Sequence, residues 1–107
     1  MSNSKSNLKE LPDYIKVFGK KFRIEKLKED EQEDADGIMD LASQTIKYRE
    51  QPGLGYMQDT ILHETVHAVD ESLQLGMTEE QVHQLACGLL GVLKDNKEFT
   101  EWLLKDE

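Results

Sequence analysis

Between residues 14 and 25 apolar and polar side chains alternate. Ile15 and Val17, then Phe22 and Ile24, stand among polar neighbours. A period of two marks a half-buried strand, and Gly19-Lys20 between the two runs suits a tight hairpin turn. Residues 26–36, KLKEDEQEDAD, are a charge run and predict a solvated loop. Residues 37–49 predict a second strand pair. Ile38 and Leu41 precede a turn near Ala42-Ser43-Gln44, and Ile46 and Tyr48 alternate after it. Pro52, Gly53 and Gly55 then punctuate a loop. From residue 56 the period becomes helical and runs unbroken to residue 75, with Gly76 as the stop. Thr78, with Gln81 three residues on, reads as a capping box opening a second helix. That helix carries Val82, Leu85, Ala86, Leu89 and Leu93 at helical spacing. A short last helix over residues 97–104 offers Phe99, Trp102 and Leu103. Strands followed by helices predict an α+β fold. Its expected form is a small N-terminal antiparallel sheet packed on the first two helices, with a short C-terminal helix.

The chain has 107 residues, which suits one domain, expected over residues 13–107 after a flexible tail over residues 1–12. Hydrophobic residues make up 37% and charged residues 33%. The core is therefore modest, and a bound metal would add stability. Thirteen basic residues against twenty-two acidic ones give a net charge of −9. That excludes nucleic acid and an anionic membrane surface as main partners, because both need a basic face. A single cysteine, Cys87, excludes an internal disulfide and is expected to pack as a small apolar residue. No apolar run reaches membrane-spanning length, and the first ten residues lack a signal peptide's apolar centre. The expectation is a cytoplasmic protein.

The chemistry is concentrated in the first helix, in His63-Glu64-Thr65-Val66-His67. Two histidines four apart share one helical face, with Cβ atoms roughly 5–6 Å apart, so both imidazoles can reach one zinc ion. Glu64 projects about 100° around the axis from His63 and suits a general base acting on water rather than a ligand. Helical phase puts Ile61, Leu62, Val66, Ala68, Val69 and Leu73 on one side, and the two histidines on the other.

A catalytic zinc usually has three protein ligands. Asp70 and Glu71 continue the same helix past the metal and read as outlying or solvated groups. In the second helix, phase turns Glu79 towards the packed stripe and Glu80 almost opposite. Glu79 is thus the preferred third ligand. His83, one turn beyond it, is the rival as ligand, as a donor to a ligand, or as a stabiliser of the transition state. Tyr48 and Tyr56 flank the motif, and a phenol such as Tyr48 could stabilise an oxyanion.

HETVHAVD followed by EEQVHQLACGLLGVL resembles the minimal gluzincin-type metallopeptidases, including small phage-encoded ones and the ImmA/IrrE group. The likeness covers about residues 37–94. It rests on HExxH and on Glu79, Val82, Leu85 and Ala86 of a Glu-x-x-apolar-x-x-apolar-Ala helix. It implies zinc on His63, His67 and Glu79, Glu64 as base, and hydrolysis of a peptide or protein substrate. Residues 44–48 are the strand expected to bind that substrate in extended form. The alternative is a non-catalytic interaction module stabilised by zinc.

Overall fold

The computed structural model describes residues 11–28 and 36–106. Most of the expected tail and most of the charge run lie outside the described residues. Among the described residues the architecture is α+β: a four-stranded sheet, then three helices.

Strands β1 (Tyr14–Val17) and β2 (Lys20–Lys26) form the first hairpin. Its loop is Phe18-Gly19, one residue earlier than expected, because Val17 pairs with Lys20. Both loop residues have positive φ, 53° and 82°, the twist that matches right-handed strands. Lys26 still belongs to β2, and Leu27 is buried with its N–H donating to the Tyr48 carbonyl at 2.8 Å. The solvated loop therefore begins later than charge alone suggested.

Strands β3 (Gly37–Asp40) and β4 (Thr45–Tyr48) form the second hairpin. Asp40 shapes its turn by accepting from the Ala42 N–H and the Ser43 hydroxyl. The strand order is β1-β2-β4-β3, and β2 pairs with β4 in parallel. The sheet is mixed, not purely antiparallel. Burial explains the order: Phe22 of β2 and Ile46 of β4 are fully buried, so their strands take the centre. Less apolar β3 takes the edge.

Helix α1 (Leu54–Leu73) lies across one face of the sheet. Ala68, with Val69 beside it, packs against Val17, Phe22 and Ile46, and Met39 joins from β3. Val66, one turn from Leu62, closes a second cluster with Val82 and Ala86 of α2 (Glu79–Asp95). The helix stops at Gln74, in the left-handed region with φ 56°, two residues before the expected glycine. Leu73, expected in the apolar stripe, is exposed at that end. The capping box opens α2 as the sequence implies: Gln81 N–H donates to Thr78 Oγ1, and Thr78 N–H to Gln81 Oε1. Helix α3 (Lys97–Leu103) follows after Asn96 alone. Among the described residues α2 packs only on α1 and α3, never on the sheet. Leu85 and Leu89 consequently remain exposed. No described helix is long and apolar enough to cross a membrane.

Candidate metal centre

His63 and His67 lie one turn apart on α1, with ring centroids separated by 5.0 Å. Both are half-buried, and both point at the first residue of α2. His63 Nε2 lies 2.8 Å from Glu79 Oε2, and His67 Nε2 lies 2.9 Å from Glu79 Oε1. A carboxylate has only acceptors, so each imidazole donates its N–H to it. Potential ligand atoms of His63, His67 and Glu79 all lie within 4.8 Å of one another.

The local sequence explains this convergence. Four-residue spacing stacks the histidines. Thr78 starts α2 at a fixed residue through its capping box, so Glu79 is the first helical position. Asp70 fixes the approach of the two helices. It is buried, its Oδ1 accepts the Met77 N–H at 3.0 Å, and its carbonyl accepts the Leu75 N–H. It is a brace for the connection, not a solvated outlier. Glu80 faces away and accepts from Gln84 Nε2.

Glu64 sits beside the triad and is 7% exposed. Burial pushes its carboxyl above the usual carboxylate range, partly opposed by His67 and His63. Desolvation acts in the same direction on Glu79, but the hydrogen bond from His63 and the charges of His67 and His63 outweigh it. The Glu79 carboxyl is therefore held below its ordinary value. Two carboxylates close together thus lean in opposite directions, a pattern common at reactive sites.

The cleft beside these groups measures about 400 Å³ and is lined by Gly37, Ile38, Met39, Glu64, His67, Glu71 and Glu79. Its far wall is edge strand β3. Residues 44–48 cannot be the strand that takes up an extended peptide, since β4 is paired on both sides. The residue sequence reasoning missed is Gly37. A Cβ there would stand 2.9 Å from Thr60 Cγ2 and 3.1 Å from Glu64 Cγ and Oε2. Only glycine lets the strand lie this close to Glu64. Glycine at the start of a strand was the available signal.

Tyr48 is not part of the cleft lining. Tyr56 hydrogen-bonds Asp36, which, with burial, raises its phenol. His83 is exposed, with its ring 6.0 Å from that of His63, beside the triad but outside it. Cys87 is exposed rather than packed: its thiol lies 3.5 Å from Asp59 Oδ1 and 3.7 Å from His83 Nε2. Slight desolvation and then the neighbouring Asp59 charge push its thiol above the ordinary value.

No known protein family, curated protein or solved structure matches the chain. The donor set must therefore speak for itself. Two imidazoles and one carboxylate, already converging on one point, could hold a metal ion.

Proposed function

We propose that the chain is a small zinc-dependent peptidase. The observation that carries this reading is the convergence of His63, His67 and Glu79 beside buried Glu64 in a cleft bounded by a strand edge. Among the described residues the donors number three rather than four, which would leave a coordination position for water or substrate. This favours catalysis over a purely structural zinc.

His63, His67 and Glu79 would hold the ion. When bound, zinc would supply Lewis-acid polarisation of a scissile carbonyl and acidify a water. Glu64 would take a proton from the attacking water onto its carboxylate and pass it to the leaving nitrogen. Its raised proton affinity fits a group that must hold a proton between those events. Gly37 positions Glu64 by allowing β3 to lie against it. The edge of β3, which pairs with no other strand than β4 among the described residues, would align an extended peptide along the cleft. A shallow cleft fits a protein segment better than a small buried substrate.

The test is Glu64→Gln. Zinc binding by calorimetry should persist at one ion per chain, while hydrolysis of a peptide library by zinc-loaded protein falls at least about 100-fold. Hydrolysis by Glu64→Gln at the wild-type rate would defeat the reading.

A further inference from the structure

Thr60, Glu64, His67 and Glu71 follow one another along α1 at spacings of four, three and four, so they form one stripe on the helix. β3 lies beside this stripe. Gly37 lies against Thr60 and Glu64, and Met39, two residues on, joins the cluster that holds Ala68, one turn beyond Glu64. Two residues of strand span about 6.6 Å and four of helix about 6 Å, so strand and stripe run the same way. Glu71 lies further along that line and lines the same cleft.

The other acidic side chains of α1 and of the first turn of α2 mostly have partners. Glu79 takes both imidazoles, Asp70 the Met77 N–H, Asp59 the Cys87 thiol and Glu80 the Gln84 amide. Two differ, and both line the cleft. Among the described residues, exposed Glu71 has no hydrogen bond or ion pair, and Glu64 accepts no hydrogen bond although it is 7% exposed. A buried acceptor without a partner, aimed into a cleft, awaits whatever fills it. The lining contains Glu64, Glu71 and Glu79 and no lysine or arginine. The helices supply none either, because residues 54–93 hold six acidic residues and no basic one. A divalent ion on His63, His67 and Glu79 would offset two of the three carboxylate charges of the lining, leaving one uncompensated.

Resting on the peptidase reading, we infer that Glu71 is a specificity-determining residue that selects peptides carrying a lysine or arginine two or three residues from the scissile bond. The spacing follows from the helix: Glu71 stands six residues, about 9 Å, beyond the midpoint of the two histidines, and an extended peptide covers that in just under three residues. The aliphatic stem of such a side chain would cover Ile38, which is 37% exposed in the same lining, while its charged head meets Glu71. A glutamate at the same place would be repelled.

Binding and cleavage are measured separately. Fluorescence anisotropy with zinc-loaded Glu64→Gln uses labelled neutral decapeptides carrying one lysine or one glutamate, scanned along their length. Cleavage of the same peptides is followed with zinc-loaded wild type. At the best position the lysine peptide should bind with a Kd below about 1 mM, roughly 3–10-fold tighter than its glutamate twin, since an exposed charge pair changes affinity by up to about 5-fold in either direction. Wild-type kcat/KM should show the same order. Glu71→Lys in the Glu64→Gln background should invert the binding order. Glu80→Lys makes the same charge change on a side chain that faces away, and should leave the order as it was. Equal affinity for the two peptides, or no binding of the lysine peptide up to about 1 mM, would overturn the inference. So would a preference that survives Glu71→Lys, or one that Glu80→Lys inverts as well. Lysine-selective, Glu71-dependent binding without cleavage by wild type would sustain it and defeat the peptidase reading instead.

Discussion

Gly37→Ala adds one methyl group where the structure has no room. The new Cβ would stand 2.9 Å from a carbon of Thr60 and 3.1 Å from two atoms of Glu64. Both neighbours are buried on α1, so neither can swing into solvent. The strand must lift from the helix, or Glu64 must leave its rotamer. Overpacking of this kind costs about 1–3 kcal/mol. For a domain of this size each kcal/mol lowers Tm by roughly 4–8 °C. Thermal melts followed by circular dichroism should therefore show a fall of roughly 4–24 °C. Gly88→Ala in α2 is the matched control: its Cβ would meet nothing within 4 Å, and alanine is the better helix former. It should raise stability by about 0.5–1 kcal/mol. Zinc affinity of Gly37→Ala should change little, since the atoms nearest the added Cβ belong to Thr60 and Glu64 and not to the three donors, while any hydrolysis should drop sharply. A Gly37→Ala protein as stable as wild type would refute the close approach of β3 to Glu64.

Three further outcomes follow from the geometry. In zinc titrations Glu79→Ala should lose affinity at least about 100-fold while Glu80→Ala stays near wild type, because only Glu79 reaches both imidazoles; equal losses would break the assignment. Asp70→Ala strands the half-buried Met77 N–H and should cost about 1–3 kcal/mol in urea unfolding, with Asp70→Asn milder because it keeps an acceptor. Phe18→Asn should stabilise the chain by roughly 0.5–1 kcal/mol in thermal melts, since Phe18 holds a φ of 53° while remaining 64% exposed, and asparagine tolerates that conformation better.

Much of this arrangement is written locally. The capping box at Thr78 and Gln81, the histidine spacing and the helical phase of Glu79 against Glu80 depend on neighbours within four residues. Each emerges in the structure where the sequence places it. What depends on distant partners was not legible. Alternation identifies β2 and β4 as strands but says nothing of their parallel pairing, which is decided by burying Phe22 and Ile46 together. That pairing also places β4 inside the sheet and leaves β3 as the edge strand beside the cleft among the described residues. The closeness of Gly37 to Glu64 and the exposure of Cys87 depend on how helices sit, not on residue type. Asp70 looked like any carboxylate at a helix end until the Met77 N–H was found on it.

The three converging donors come from two helices with different moorings. α1 is anchored to the sheet by Ala68 and Val69, whereas α2 is held chiefly by Val82 and Ala86 against Val66. Two small buried side chains give a weak local anchor, so α2 is the segment best placed to open as a unit without unfolding the sheet. Each opening would carry Glu79 away from His63 and His67. Any ion bound by all three groups favours the closed form by mass action. Amide hydrogen exchange in α2 would then slow as ion concentration rises, while exchange at the centre of the sheet stayed fixed, making the helix a gauge of occupancy.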